Sequence, residues 1–186
     1  MMSEEPKQQV VVRLVEEQEA LWRQFATLTN EMNSSSKGYR LFPTLDYHVE
    51  GLDDDKMYEM VLEFHQVDDF HYTFYIDQWV NVESSTARRI DSNEQAKKIR
   101  RGLKTGKEWM SSTFNFDNVR FTTSLTTTNP LFVYLYAMHK YVPILSIYEV
   151  PTNYPIDHLT SKPIAVVKFD YTEFIVVRST YKNPAV

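Results

Sequence analysis

The sequence predicts a mainly β protein, an antiparallel sandwich of two sheets preceded by one amphipathic helix. Twelve Tyr and eleven Phe among 186 residues favour strands, where aromatic side chains pair across neighbouring chain segments. About nine short apolar or alternating runs are separated by turn residues, a spacing that is typical of sandwiches. Because 42% of the residues are hydrophobic, a chain of this length can bury a substantial core.

A strand and the helix come first along the chain. Residues 9–15, QVVVRLV, are rich in β-branched side chains and read as a strand. Apolar side chains then recur at helical spacing between Glu17 and Met32: Leu21, Phe25, Leu28 and Met32. This pattern predicts an amphipathic helix of about four turns. The polar residues 34–38, SSSKG, predict the turn that follows it.

The remaining strands follow from alternation and from turn residues. They are predicted over residues 40–50, 57–67, 70–80, 114–123, 132–139, 144–150, 164–169 and 173–177. The two-residue link Asp68-Asp69 predicts a tight turn between the second and third of these strands. Residues 81–105 show neither period, so we expect a long loop there with a short helix around 93–101.

The charge of the chain is unevenly distributed. The net charge is −5, yet the segment from Thr86 to Lys107 holds eight of the 20 basic residues and two of the 25 acidic ones. That segment therefore carries +6, and the rest of the chain, with 12 basic and 23 acidic residues, carries −11. Such a basic segment indicates a polyanion-attracting face, and a solvated loop is the alternative.

Several function classes are disfavoured by the sequence. The chain has no cysteine, which excludes disulfides and thiolate metal sites and suits a reducing compartment. No apolar run approaches the length of a membrane span, and the N-terminus does not resemble a secretory signal. The five histidines lack metal-ligand spacing, and we find no phosphate loop or nucleophile elbow, so we expect no enzyme, cofactor or metal. Asp53-Asp54-Asp55 reads as a solvated turn, since calcium loops space their ligands.

Six groups of motif residues stand in a fixed order along the chain. They are LW (21–22) with Phe25 and Glu31-Met32, leading to Gly38, Arg40, Phe42-Pro43, GLD (51–53) and VDD (67–69); TGKEWM (105–110); Phe116 with VRFTT (119–123); MHKYVP (138–143); TEFI (172–175); and YKN (181–183). Together they resemble the T-box DNA-binding domain over roughly residues 10 to 183. Each group is weakly specific alone, and their order is the specific feature.

The resemblance implies a fold and a function. The fold is an immunoglobulin-like, p53-like β-sandwich with short accessory helices. Residues 1–8 would form a tail, 9–183 a single domain, and 184–186 an end at which the family's minor-groove helix is missing. The function would be sequence-specific binding of double-stranded DNA by a nuclear transcription factor that controls developmental genes transcribed by RNA polymerase II. Transcriptional co-regulators and a homodimer on DNA are further expectations, and no membrane is involved.

Thirteen residues are candidates for DNA contact: Lys37, Tyr39, Arg40, Arg100, Arg101, Lys104, Arg120, Thr122, Thr123, Arg178, Thr180, Lys182 and Asn183. Arg40 is expected to read guanine, because a guanidinium fork matches the O6 and N7 acceptors. Arg120, Thr122 and Thr123 suit phosphate oxygens, and the basic segment would supply long-range attraction. Surface ion pairs or a fraying C-terminal segment are the alternatives for these residues. The aromatic motif residues are expected in the core: Trp22, Phe42, Trp79, Trp109, Tyr141 and Phe174.

Two departures from the family pattern bear on function. Tyr39 stands where the family usually has a first arginine before the Arg40 position. The segment from Val177 to Tyr181 is one residue longer than the pattern, and only Asn183-Pro184-Ala185 remains of the family's last helix. With the net acidity, these departures leave an alternative, a T-box-like sandwich that has lost DNA affinity and serves as a protein-interaction module.

Overall fold

The structure is a computed structural model that describes residues 9–83, 96–151 and 161–178. Two helices lie in these ranges, α1 (Glu16–Ala26) and α2 (Gly106–Ser111), with a short 3-10 turn at Asp170–Thr172. The strands are β1 (Val11–Leu14), β2 (Asn30–Asn33), β3 (Tyr39–Arg40), β4 (Asp46–Glu50), β5 (Met57–Gln66), β6 (His71–Tyr75), β7 (Gln78–Val82), β8 (Ile99–Thr105), β9 (Phe114–Asn115), β10 (Arg120–Thr122), β11 (Phe132–Tyr134), β12 (Lys140–Val150), β13 (Ala165–Lys168) and β14 (Phe174–Val177).

The strands form two packed layers. One layer is a sheet in the order β2-β14-β12-β5-β8, with β13 added beside β12. The other layer consists of two small sheets, β1-β4-β9 and β11-β10-β3, and β6 with β7 forms a separate hairpin. Pairing is antiparallel except for β10 with β11 and β14 with β2, which are parallel. The predicted β-sandwich is confirmed.

Aromatic side chains join the two layers. The ring of Phe121 from β10 lies 5.0 Å from that of Phe64 in β5 and 5.5 Å from that of Phe174 in β14. All three are buried. Because each ring belongs to a different strand, this contact fixes β10 against the large sheet.

Most of the predicted aromatic core is confirmed. Trp22, Trp109, Tyr141 and Phe174 are at most 1% exposed. The prediction for Phe42 is wrong, since this side chain is 51% exposed and contacts Phe25 at the surface with a centroid distance of 6.1 Å. Trp79 is half-buried and packs with the second, smaller cluster around Tyr72, Ile175 and Val177.

The predicted helix over residues 17–32 is too long. It ends at Ala26, and Thr29 adopts a positive φ of 63°, which closes a turn before β2. Met32 is buried on β2, whereas Leu28 is 59% exposed. The side-chain amide of Asn30 donates to the carbonyls of Tyr171 and Glu173, so tertiary bonds hold β2 beside β14.

Other boundaries differ where pairing is long-range. Predicted strand 40–50 divides into β3 and β4, and 114–123 divides into β9 and β10. Asp68-Asp69 does not close a hairpin; the hairpin turn lies at Ile76-Asp77, whose φ values of 47° and 59° suit a type I′ turn. Residues 99–105 of the expected loop form β8 beside β5, and no helix occurs in the described part of 93–101.

Helix α2 was missing from the sequence prediction. A capping box begins it, because the Thr105 side chain accepts from the Glu108 amide while the Glu108 carboxylate accepts from the Thr105 amide. The indole of Trp109 donates to the Tyr58 carbonyl at 3.0 Å. The T-x-x-E spacing of residues 105–108 is the signal from which this helix could have been predicted.

Gly106 should tolerate no larger residue. A Cβ there would lie 2.0 Å from the carbonyl oxygen of Asp53, and a backbone atom cannot move aside cheaply. We expect Gly106→Ala to lower the free energy of unfolding by at least about 3 kcal/mol in urea denaturation. Gly102→Ala is the control: its Cβ meets nothing within 4 Å, so only the positive φ should matter, at about 1 kcal/mol. Equal losses in the two variants would contradict the close contact at Gly106.

The corrected boundary of α1 gives a second test. Met32→Ala should cost about 2–5 kcal/mol of unfolding free energy, because it empties a buried position on β2. Leu28→Ala should change it by less than about 0.5 kcal/mol, since that side chain is largely exposed. Comparable losses of unfolding free energy at both positions would contradict the end of α1 at Ala26 and support the longer helix predicted from sequence.

Candidate nucleic-acid interface

The turn before β3 and the strand β10 bring most of the candidate residues together. Arg40 stands opposite Arg120 and Tyr39 opposite Phe121 in the antiparallel pairing of β3 with β10. The Thr123 amide donates to the Ser35 carbonyl at 3.2 Å, which closes the turn against the end of β10. Lys37 lies in this turn and is exposed. Two segments distant in sequence thus form one surface.

Gly38 allows the turn to pack this closely. Its φ is 81°, in the region that glycine adopts without strain. A Cβ at this position would lie 2.7 Å from Cζ of Phe132 and 2.9 Å from Cβ of Arg120. The Phe132 ring therefore fills the space under the turn, and the backbone of Tyr39 and Arg40 continues directly from this contact.

Strand β14 brings Arg178 to the same end of the sandwich. Val177 is opposite Asn33 in the parallel pairing of β14 with β2, and its carbonyl accepts from the Ser34 amide at 2.9 Å. Arg178 follows directly and is exposed. We call the resulting patch the β3–β10 surface, and its members are Lys37, Tyr39, Arg40, Arg120, Thr123 and Arg178.

No carboxylate of the described residues neutralises the cations of the β3–β10 surface. Within the described ranges, no carboxylate forms an ion pair with any of them: Lys37, Arg40, Arg120 and Arg178. Elsewhere cations are paired, as Arg13 is with Glu50 at 2.7 Å and Lys56 with Glu149 at 3.1 Å. Like charges directly across a strand pair repel, so the Arg40–Arg120 arrangement favours an anion beside it.

Two residues at this surface have structural bonds of their own. Nη1 of Arg120 donates to the carbonyls of Asp117 at 2.7 Å and Val119 at 2.9 Å, which orients the guanidinium, and no described residue accepts from its other donors. Thr122 is buried, and its hydroxyl accepts from the Ser124 amide at 3.1 Å. This geometry favours a turn-stabilising role for Thr122 over the phosphate contact expected from the sequence.

The remaining basic candidates lie on β8 rather than on β3, β10 or the end of β14. Arg100, Arg101 and Lys104 are exposed on β8, which pairs with β5 at one edge of the large sheet. Lys104 is opposite Tyr58, toward the end of β5 that is remote from Gln66, and its ammonium lies 4.9 Å from the Trp109 ring centroid. Charged side chains on an outer strand also discourage pairing with other chains. None of these three residues lies on a strand that pairs with β3 or β10.

Some candidates fall outside the described residues. Thr180, Lys182 and Asn183 are among them, as are Arg88 and Arg89 of the basic segment. In the ranges that are described, no cluster of His, Asp or Glu could hold a metal ion. No helix of those ranges is long and apolar enough to span a membrane.

Known proteins are similar to this chain in sequence. The profile of the T-box family matches residues 14–186. "T-box transcription factor tbx-8" of Caenorhabditis elegans is 37% identical over 182 residues, covering 96% of this chain and 56% of the relative. "T-box transcription factor tbx-9" of the same organism is 35% identical, covering 94% and 59% respectively. "T-box transcription factor T homolog 1" of Branchiostoma floridae is 29% identical, covering 92% and 36%.

The chain thus spans less than two thirds of the length of these curated relatives, while they match nearly all of it. The family profile covers both the α1 region and the strands that carry the β3–β10 surface. The chain belongs to the T-box family.

Proposed function

We propose that this protein is a sequence-specific DNA-binding transcription factor that acts on genes transcribed by RNA polymerase II. The named T-box relatives are transcription factors, which supports the class of function. The observation that carries the proposal for this chain is the β3–β10 surface, where four cations that pair with no carboxylate of the described residues converge from three strand segments. The proposal assigns no catalytic step, cofactor or metal.

Each member of the surface has a proposed role. Arg40 reads a guanine edge, because it is exposed and its backbone pairs with Arg120 of β10. Lys37, Arg120, Thr123 and Arg178 contact phosphates and set the register of the protein on the duplex. Tyr39, which is 50% exposed, donates its hydroxyl to a phosphate of the DNA backbone, at the position where the family usually has an arginine. Arg100, Arg101 and Lys104 contribute attraction at longer range, and Thr180, Lys182 and Asn183 extend the contact from the C-terminal segment.

The proposal also states where the protein acts in the cell and which partners it binds there. A transcription factor of this kind acts in the nucleus and controls developmental genes. It recruits co-regulators through surfaces outside the DNA contact, and two copies bind adjacent half-sites on one duplex. The domain extent of 9–183 belongs to the same proposal.

Salt dependence tests whether the protein binds duplex DNA through phosphates. Affinity for a duplex should fall with a slope of roughly −3 in log K against log salt, about −0.9 for each phosphate neutralised by Lys37, Arg120 and Arg178. Arg178→Ala should make the slope shallower by about 1. Arg13→Ala is the matched control, because that guanidinium is already paired with Glu50 and lies outside the surface. A protein-interaction module that has lost DNA affinity would show no duplex binding even at low salt.

Base reading by Arg40 has its own test, a selection of bound oligonucleotides from a random pool. Arg40→Ala should relax the preference at one guanine position, a loss of about 1–3 kcal/mol of discrimination. Arg101→Ala removes the same charge from β8 and should weaken all sequences alike. If Arg40→Ala leaves both the selected motif and its affinity unchanged, Arg40 does not read a base.

A further inference from the structure

Lys97 belongs to the basic segment, yet its charge is directed into the protein. Its ammonium donates to the carbonyl of Asn129 at 2.9 Å and to that of Phe132 at 2.5 Å. Partial burial lowers the pKa of Lys97, as expected for an amine that has exchanged water for protein. The structure gives the ammonium of the neighbouring Lys98 no bond within the described residues, so the two lysines differ although both are half-buried.

The carbonyls that Lys97 binds lie just before and at the start of β11, the strand that pairs with β10 on the side opposite β3. Phe132 is opposite Arg120 in the parallel pairing of β11 with β10, and the Arg120 amide donates to the Leu131 carbonyl at 3.0 Å. The Phe132 ring is the group that fills the space under Gly38. Through Phe132, the position of the Lys97 ammonium is therefore linked to the turn that carries Tyr39 and Arg40.

Strand β3 depends on such support because it is short. Only two residue pairs, Arg120 with Arg40 and Phe121 with Tyr39, join it to β10. Side chains that read a base must be held within a fraction of an ångström, and short pairings on the surface open locally at low cost. A fixed Phe132 limits this opening, since the turn residue Gly38 rests on its ring.

We propose that Lys97 is a positioning residue for DNA reading: by holding the Asn129–Phe132 turn it keeps Phe132 under Gly38 and so orders Arg40 and Arg120. The inference rests on the proposed function of the same surface. It assigns Lys97 no phosphate contact. Removing it should therefore reduce sequence-specific affinity without changing the number of counterions released on binding.

The test compares Lys97→Met with Lys98→Met, which change the net charge equally. Binding is measured across salt concentrations to the duplex selected by the wild-type protein and to a scrambled duplex. We expect Lys97→Met to bind the selected duplex about tenfold more weakly, equivalent to about 1.4 kcal/mol, with the salt slope and the scrambled affinity unchanged. Lys98→Met should stay within about threefold on both duplexes. Equal losses in the two variants, or a shallower slope in Lys97→Met alone, would overturn the positioning role.

A measurement without DNA separates this inference from the proposed function. In hydrogen exchange of the free protein, peptides covering residues 37–41 and 119–123 should exchange about tenfold faster in Lys97→Met and unchanged in Lys98→Met. If the wild-type protein binds no duplex but this contrast is found, the proposed function fails and the link to Gly38 stands. If the wild-type protein binds DNA and no contrast is found, the inference fails alone.

A second variant covers the case in which Lys97→Met does not fold. Phe132→Leu keeps the backbone carbonyls that Lys97 binds but removes the ring under Gly38. It should reproduce the faster exchange at residues 37–41 and the loss of specific affinity. Wild-type exchange and affinity in Phe132→Leu would overturn the inference. The double variant with Lys97→Met, where it folds, should lose little more than either single variant, because both act through the same contact.

Discussion

The burial of Phe121 between the two layers anchors β10 to the large sheet, and the position of the β3–β10 surface follows from this contact. Its ring packs on Phe64 and Phe174 in the core, while its backbone pairs with Tyr39 of β3. Its neighbour Arg120, a member of the β3–β10 surface, is therefore held in place by a core contact. A side chain that cannot move without opening the core gives the adjoining polar residues a rigid base, which suits a surface that must match a ligand closely.

Which charged side chains form ion pairs matters more for ligand binding by this protein than its net charge does. The chain carries −5, which alone would oppose a polyanion, and some of its carboxylates are paired with cations such as Arg13 and Lys56. The cations near β3 and β10 lack such partners within the described residues, so they keep their charge for a ligand. Because screening limits each charge to about a Debye length at physiological salt, the local arrangement outweighs the distant acidity. The basic strand β8 adds a separate field at the sheet edge.

The sequence was sufficient where a pattern was local and insufficient where contacts were distant. Alternation placed β5, and the motif residues placed Trp22, Trp109 and Phe174 in the core. The helical spacing that ran on to Met32 was misleading, because hydrogen bonds from Asn30 to residues near position 172 hold that segment as a strand. Arg40 and Arg120 could be named from the resemblance, but their direct opposition could not. Nor could any period show that Lys97 turns inward while Arg100 and Arg101, on a strand paired far along the chain, face solvent.

The proposed function requires that duplex DNA bind to the β3–β10 surface. Backbone amide chemical shifts of this 22.0 kDa protein, recorded during titration with the selected duplex, test it most directly. We expect the largest shift changes at residues 34–40 and 119–124 and at Arg178, and no change at residues 52–56, which include the acidic turn Asp53-Asp54-Asp55. Shift changes centred on β8 or on Asp53-Asp54-Asp55, without changes at residues 119–124, would contradict DNA binding by the β3–β10 surface.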